Sequence, residues 1–304
     1  MYRQAGWDST QMGTIPFLML TLGFTVVVFY FEFYLDLRQW GKFFNNPKLP
    51  DELKNVVKNE IFDKSIAYRK DTFSFKIVES LFGFVLGVGF VLAGYLPFLW
   101  DLSTHLAGRC GVLTSNYSQM FQEIVITWLF VVLMTLVDTV TSLPFSLYST
   151  FVVEQKHGFN KSTLGLFIQD KVMTLGLTFG ISFPVLSVIV YLVRIGGPYF
   201  YFYVWLFLFV FSLIMMTIYP TLIAPLFNKY TKLEDGPVKT AIEELAKQVG
   251  FPLTNLFSVD GSKRSGHSNA YFYGFFKVLC ASILVHFDVL ICGRISALFC
   301  TTPF

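Results

Sequence analysis

Five stretches of apolar residues dominate the pattern along the chain, and each is about 20 residues long or slightly longer. A helix of that length crosses the roughly 30 Å hydrocarbon core of a bilayer. Trp and Tyr, which anchor helices at the membrane interface, lie near several ends of these stretches, among them Trp40, Trp100 and Tyr148. The pattern predicts an all-α polytopic membrane protein. About five transmembrane helices are predicted, at residues 15–34, 77–100, 124–147, 172–193 and 199–223.

A short segment with the pattern of a small α+β fold follows the fifth stretch. Pro237 begins a run in which apolar residues recur at helical spacing, and Gly250 ends it. Two strands are predicted after this helix, at residues 255–260 and 267–273. The loop between them, 261–266, lacks the glycine and lysine spacing of a phosphate-binding loop. The segment therefore shows no signature of a nucleotide site.

The character of the chain changes again after residue 277, where the sequence becomes VLCASILVHFDVLICGRISALFCTTPF and includes three of the four cysteines. Two alternatives stay open for this part. It is either a poor sixth span, with His286, Asp288 and Arg294 inside it, or an unstructured apolar tail. The predicted organisation is an N-terminal transmembrane helical domain at 1–225, a small α+β segment at 226–277 and a divergent apolar tail at 278–304.

The composition agrees with a membrane protein and argues against a nucleic-acid-binding one. Hydrophobic residues make up 54% of the 304 residues and charged residues 14%, and Phe alone contributes 36. A soluble domain carries about 25% charged residues. The formal net charge is only +3, so the chain has no strong basic field to attract a polyanion. Membrane lipid is the partner that the composition indicates.

The basic residues are distributed unevenly between the loops, and this predicts the orientation in the membrane. Nine Lys or Arg lie in residues 35–76, but only one lies in residues 101–123. Loops rich in Lys and Arg stay in the cytosol. The N-terminus is therefore predicted to be lumenal, and the first loop, the third loop and the C-terminal region to be cytosolic. The glycosylation sequon at Asn116 is then lumenal, whereas the sequon at Asn160 is out of reach of the glycosylation machinery.

One carboxylate lies in the middle of a predicted span. A charged residue at that depth costs about 2.5–3.5 kcal/mol on insertion scales, so Asp138 needs either a wet cavity or a polar partner. A functional cavity and a structural hydrogen bond to a neighbouring helix are both compatible with the sequence.

The sequence offers no recognisable catalytic or metal-binding set. A zinc protease helix needs two histidines four residues apart with a glutamate after the first, and His105, His157, His267 and His286 do not meet that spacing. The G-x-S-x-G nucleophile motif is also missing. We therefore assign no catalytic residue and no metal ligand.

Several long motifs nevertheless resemble one known family. The segment GSKRSGHSNAYFYGFFK at residues 261–277 resembles the signature loop and strand of the type I CAAX prenyl proteases, which are zinc metalloproteases of the endoplasmic reticulum membrane. LPFSLYSTFVVEQKHGFN at residues 143–160 is similar to another characteristic stretch of that family. So are the runs IGGPYFYFYVWLF from Ile195 and YPTLIAPLFNKYTKL from Tyr219. The motifs occur in the family's order over residues 15–277.

The resemblance implies a fold, an activity and a substrate site. The family fold is a barrel of seven helices around a wet chamber, of which this chain supplies about five, and residues 226–277 are the start of the cytosolic metalloprotease domain. Family members remove the C-terminal tripeptide of prenylated CAAX proteins, at the endoplasmic reticulum and also in the inner nuclear membrane. The strand at 267–273 corresponds to the edge strand that holds the substrate. The substrate-binding residues implied are His267, Ser268, Asn269, Ala270, Tyr271 and Phe272.

The chain departs from the family pattern after Lys277, where family members continue into a further strand, the zinc helix and two more spans. All three zinc ligands and the general base are then missing, so no zinc is expected here and the chain is predicted to be inactive by itself. A splice variant, a frameshift or a wrongly assigned gene end would each produce this change. An alternative is a non-catalytic truncated isoform that binds prenylated peptides or partners. A transporter-like function rests on Asp138 and the multiple spans alone.

Overall fold

The computed structural model describes residues 17–45, 47–51, 54, 57–114, 116–251, 253, 255–261, 263–266, 270–273 and 281–285. These residues are predominantly helical and also contain one small sheet. The α-helices are α1 Phe17–Phe44, α2 Asn59–Leu92, α3 Tyr95–Arg109, α4 Gln119–Tyr148, α5 Leu164–Ile195, α6 Phe200–Ile218, α7 Ala224–Phe227 and α8 Pro237–Val249. The strands are β1 Lys229–Lys232, β2 Asn255–Asp260, β3 Ala270–Tyr273 and β4 Ala281–Val285.

Five helical segments in the described residues are long and apolar enough to cross a membrane, which confirms the predicted fold class and the multi-pass architecture. They run from Leu18 to Phe44, Asn59 to Leu92, Gln119 to Glu154, Leu164 to Ile195 and Gly197 to Phe227. Most of them extend beyond the apolar stretch that predicted them. Lys, Glu and Arg are good helix formers, and a helix therefore continues into polar sequence as long as no breaker intervenes.

The second predicted span, 77–100, is wrong at its C-terminal end. Helix α2 stops at Leu92, and Gly94 takes a left-handed conformation with φ of +67° that turns the chain into the separate helix α3. Hydropathy continues across this turn, and so the apolar pattern alone does not reveal it. Helix α3 was therefore missed as an element of its own.

Two helical segments contain π-helical turns. Helix α4 continues as a π-helical turn at Ser149–Glu154, and α6 continues as another at Tyr219–Ile223, which includes Pro220. Such turns are rare and frequently lie at functional sites. Both lie within motifs that the sequence analysis found similar to one protein family.

The chain divides into two compact units, residues 1–106 with 133–153 and residues 107–132 with 154–304. In the first unit, α1 packs against α2. The rings of Phe29 and Phe84 stack with centroids 3.8 Å apart, and Trp40 Nε1 donates a hydrogen bond of 3.0 Å to Ser74 Oγ.

In the second unit, the N-terminal part of α4 contacts α5. Arg194 makes a two-pronged ion pair with Glu123, with 2.8 Å between Nε and Oε2 and 3.0 Å between Nη2 and Oε1. Trp128 Nε1 donates to the carbonyl oxygen of Phe179 at 3.2 Å. The charged side chains of Glu123 and Arg194, which lie near the ends of these two spans, thus neutralise each other.

The small sheet has the strand order β1-β2-β4-β3. Strand β2 is antiparallel to β1 and parallel to β4, and β4 is antiparallel to β3. Helix α8 precedes β2 and ends in a Schellman-type cap, in which Gly250 has φ of +70° and Phe251 N–H donates to Ala246 O at 2.8 Å. The predicted helix and the predicted strand at 255–260 are therefore present as expected.

The remaining sheet predictions require correction. The strand predicted at 267–273 is described from Ala270 to Tyr273, and residues 267–269 lie outside the described residues. Residues 281–285 form strand β4 between β2 and β3, so that neither alternative for the tail holds for this segment. A strand inside a sheet reads as a continuous apolar run and is easily mistaken for part of a span. Strand β1, with the polar sequence KYTK, carries no apolar alternation and was missed.

Candidate functional site: the Arg264 junction

Three of the six residues predicted to bind substrate belong to one end of the sheet. Ala270, Tyr271 and Phe272 lie in β3, which stands last in the order of the described strands. A strand in that position has one row of backbone N–H and C=O groups without a neighbouring strand and can accept an extended peptide there. His267, Ser268 and Asn269 lie outside the described residues.

The loop that leads into β3 is held by the side chain of Arg264. Its Nε lies 2.7 Å from Asp170 Oδ2, and its Nη2 lies 2.8 Å from Asp170 Oδ1. Its Nη1 donates to the carbonyl oxygen of Phe227 at 2.6 Å and to Asn228 Oδ1 at 2.8 Å. The paired side chains of Arg264 and Asp170 are 25% and 24% exposed, so water screens the ion pair only in part.

Backbone hydrogen bonds fasten the same loop to the segment before α5. Gly266 N–H donates to Phe159 O at 2.7 Å, and Lys161 N–H donates to Arg264 O at 3.3 Å. Asn160 and Ser265 form the antiparallel bridge between these two contacts. We call this cluster the Arg264 junction: Arg264 with Asp170, Phe227 and Asn228, and the backbone of residues 159–161 and 264–266.

Local structure explains why these partners are available. Asp170 lies in the second turn of α5, whose first turn is capped by Thr163 Oγ1 accepting from Leu166 N–H at 3.3 Å. Asn228 follows α7 directly, and the Phe227 carbonyl is one that the end of this short helix leaves without an intrahelical partner. The two segments therefore present an anion, a carbonyl and an amide oxygen to one cation.

The ion pair reinforces the positive charge that the arginine carries in any case. Hydrogen bonds to the Asp170 carboxylate raise the pKa of the Arg264 guanidinium, and its partial burial opposes this effect without overcoming it. The guanidinium therefore stays cationic at any physiological pH, and the junction is an ion pair rather than a pH-sensitive contact.

Three of the family-like motifs contribute residues to the junction, but the sequence pattern did not predict the pairing of Arg264 with Asp170. Arg264, Asn228 and Asn160 lie inside the motifs at 261–277, at 219–233 and at 143–160. The available signal was Asp170, the single acidic residue of α5. A carboxylate in a membrane helix usually has a partner, and a basic residue in a distant motif is a reasonable candidate for it.

The described residues do not fit a zinc ion. No three His, Cys, Asp or Glu side chains among them come close enough to hold a metal. His105 lies in α3 and His157 precedes the turn at Gly158, whereas His267 and His286 lie outside the described residues. That the chain binds no zinc stays a prediction.

The position of Asp138 bears on the two alternatives left open for it. Its side chain is exposed on α4, and its carboxylate acts electrostatically on Tyr95 at the start of α3 in the same unit. Burial is the larger cause of the raised pKa of the Tyr95 phenol, and the charge of Asp138 adds to it. A wet cavity and a polar partner outside the described residues are both compatible with this exposed carboxylate.

Two family profiles together match most of the chain. The family profile described as CAAX prenyl protease N-terminal, five membrane helices, matches residues 39–229. The profile of peptidase family M48 matches residues 232–290. The second match continues beyond residue 277, where the sequence analysis placed the divergence, and it includes β4.

Comparison with individual proteins identifies the same family. The chain is 44% identical over 266 residues to the CAAX prenyl protease 1 homolog of Arabidopsis thaliana, covering 86% of this chain and 60% of the relative. It is 42% identical over 271 residues to the human homolog, covering 88% of this chain and 56% of the relative. Its structure is similar to the crystal structure of S. mikatae Ste24p, with a TM-score of 0.78, 37% identity, and coverage of 90% of this chain and 62% of that chain. The chain thus spans little more than half of the length of the relatives it matches.

Proposed function

Because the chain belongs to the CAAX prenyl protease family, we propose that it forms the membrane-embedded and substrate-binding part of such a protease. The activity proposed for the family site is that of a zinc metalloendopeptidase, which removes the C-terminal tripeptide of prenylated CAAX proteins. The observation that carries the proposal is the position of β3 at the end of the strand order, directly after a loop held by the Arg264 junction. An extended peptide that adds to such a strand is bound by its backbone.

The substrate residues proposed are His267 to Phe272. Three of them, Ala270, Tyr271 and Phe272, belong to β3, and the other three precede it directly in the chain. A prenylated peptide has two parts with different chemistry, a lipid that prefers an apolar medium and a peptide that needs hydrogen bonds. A protein with apolar spans and an adjoining strand edge offers a place for each part.

Hydrolysis is not proposed for this 304-residue polypeptide alone. A catalytic zinc site uses three protein ligands and a water, and the sequence contains no His-Glu-x-x-His motif to supply them. The chain is therefore proposed to bind prenylated peptides without cutting them, which is also what a non-catalytic isoform of the family would do. No feature of the described residues favours the transporter alternative over this one.

The domain organisation proposed is a transmembrane domain over residues 1–225 and the start of the metalloprotease domain from residue 226. The two family matches separate close to this point, between residues 229 and 232. The boundary proposed at 277 divides one sheet, because β4 pairs with both β2 and β3. We therefore propose that the protease segment extends to Val285.

We propose that the chain resides in the endoplasmic reticulum membrane, with an extension to the inner nuclear membrane, and that its N-terminus is lumenal. Asn116 should then carry a glycan and Asn160 should not, and the structure supplies a second reason for the difference. The Asn116 side chain is exposed, whereas Asn160 Nδ2 donates to Gln155 Oε1 at 2.8 Å and its backbone belongs to the Arg264 junction. Endoglycosidase should shift the wild-type chain on a gel, Asn116→Gln should abolish the shift, and Asn160→Gln should preserve it. A glycan at Asn160 would contradict the orientation.

The binding proposal is tested with a farnesylated CAAX peptide that carries a photoreactive group in its peptide part. The full chain in microsomal membranes should be labelled, and proteolytic mapping should place the label within residues 267–273. The same peptide without the farnesyl group is the matched control, and it should label far less because it loses the apolar contribution of about 0.8 kcal/mol per buried CH₂. Equal labelling by both peptides, or label outside the sheet, would show that the proposed substrate site is wrong.

A further inference from the structure

We propose that Arg264 is a positioning residue, whose ion pair with Asp170 sets where strand β3 begins relative to the membrane helix α5. The proposal deepens the function above and rests on it, because β3 is the strand proposed to bind substrate. Arg264 itself is not proposed to contact the peptide.

The geometry of the guanidinium shows that it serves the protein rather than a ligand. Four hydrogen bonds leave Arg264, two to the Asp170 carboxylate at 2.7 and 2.8 Å and two to Phe227 O and Asn228 Oδ1 at 2.6 and 2.8 Å. A guanidinium has five N–H donors in a rigid planar fork, and four of them are used here. Little capacity is left for the C-terminal carboxylate of a substrate.

The partners of Arg264 come from two elements that lie far away in the sequence. Asp170 belongs to α5, which is one of the five candidate spans, and Phe227 is the last residue of the span that includes α6, with Asn228 directly after it. A single side chain therefore ties the loop before β3 to two membrane-spanning segments of the same compact unit. The place of the loop relative to the membrane is fixed by this contact.

The connection from the junction to β3 is short. Gly266 N–H is held 2.7 Å from Phe159 O, and β3 begins at Ala270. Four residues of chain span at most about 14 Å when fully extended, so the start of β3 is confined to that distance from the junction. Without the Arg264 junction, β3 could shift its register along β4.

Such sliding would matter because β3 is a short strand. It pairs with β4 through four residues, with Ala270 opposite Leu284 and Tyr273 opposite Ala281. A slip of one residue moves the backbone by about 3.3 Å and turns every side chain to the other face of the sheet. A peptide bound along β3 would then be displaced by the same distance, while a lipid attached to it stays in the membrane.

The test compares Arg264→Lys with wild type in the photolabelling experiment. Lysine keeps the positive charge but cannot form the two-pronged contact, so the chain should still fold. The mapped label should spread or shift along 267–273, and the peptide should bind about tenfold more weakly.

Lys263→Ala is the matched control, because Lys263 is exposed on the same loop, and it should change neither result. Asp170→Asn should shift the label as Arg264→Lys does, and the double variant should show little further change because both act through one contact.

A second measurement does not depend on substrate. Amide hydrogen exchange of residues 270–273 should be at least several-fold faster in Arg264→Lys than in wild type, because the strand start is freed. If wild type takes no label, the proposed function fails, and hydrogen exchange alone decides on the positioning role. An unchanged labelling pattern together with unchanged exchange in Arg264→Lys would overturn the proposal, even if the variant were less heat-stable.

Discussion

A chimera that joins residues 1–290 of this chain to the C-terminal part of its Arabidopsis thaliana relative is expected to cleave a farnesylated CAAX peptide. The 304-residue chain alone is expected to release no product above background. The difference is expected to be large because enzymes accelerate such reactions by about 10⁶-fold or more, and catalysis of this class depends on a zinc ion with three protein ligands. The junction is placed after residue 290 because the match to peptidase family M48 extends to that residue and includes β4.

The measurement is a coupled methylation assay on the farnesylated peptide, accompanied by metal analysis of the purified protein. The chimera should contain about one zinc per chain and the 304-residue chain should contain none above background. A chimera whose zinc-helix glutamate is changed to glutamine is the matched control and should bind metal without turnover. In the active chimera, Asn269→Ala should lower turnover more than Lys263→Ala. Stoichiometric zinc and turnover in the 304-residue chain would contradict the predicted inactivity.

Replacement of Asp170 by Leu is expected to destabilise the protein strongly. The substitution leaves the Arg264 guanidinium partly buried with two neutral oxygens and no counter-charge. Removal of one partner of a buried ion pair costs about 3–5 kcal/mol, and the quarter exposure of these side chains suggests a value of about 3 kcal/mol. The unfolding midpoint in detergent should fall, and trypsin should cut the loop 261–266 faster.

The control for this prediction is Asp235→Ala. Asp235 makes an ion pair of 2.6 Å with Lys239, but the carboxylate is almost fully exposed, and such pairs contribute little. The pairing lowers the pKa of Asp235 and raises that of Lys239, mainly through their mutual hydrogen bond. Its small contribution is present at neutral pH and is lost both below the lowered carboxyl pKa and above the raised ammonium pKa. Equal destabilisation by Asp170→Leu and Asp235→Ala would contradict the claim that the ion pair between Asp170 and Arg264 contributes more to stability than an exposed pair.

The five spans could be predicted from the sequence because the requirement for a membrane helix is local. Each stretch must by itself be long and apolar enough to cross the bilayer, whatever its neighbours are. The same holds for α8, whose apolar spacing and Gly250 cap are visible in the sequence, and for β2. The resemblance of the motifs identified the family and gave the hypothesis about function, because composition and spacing alone showed no catalytic set.

The elements that the sequence misplaced are those whose identity depends on distant partners. Strand β4 looks like the start of a poor span until β2 and β3 are seen on both sides of it. Strand β1 is polar and becomes a strand only because β2 pairs with it from Lys229 to Lys232. Hydrogen bonds between strands that are far apart in the sequence stabilised these elements more than local propensity could.

At the candidate site, too, part of the arrangement could be predicted from the sequence and part is visible only in the tertiary structure. The sequence by itself determined that motifs around Arg264, Asn160 and Asn228 resemble one family, and this resemblance predicted β3 as the substrate strand. Only the tertiary structure paired Arg264 with Asp170, which lies 94 residues away in the chain. The physical reason is that an arginine in a loop can reach many carboxylates, and only the packed positions of α5, α7 and the loop 159–161 select one of them. That selection is what holds the beginning of β3 at a defined distance from the membrane helices.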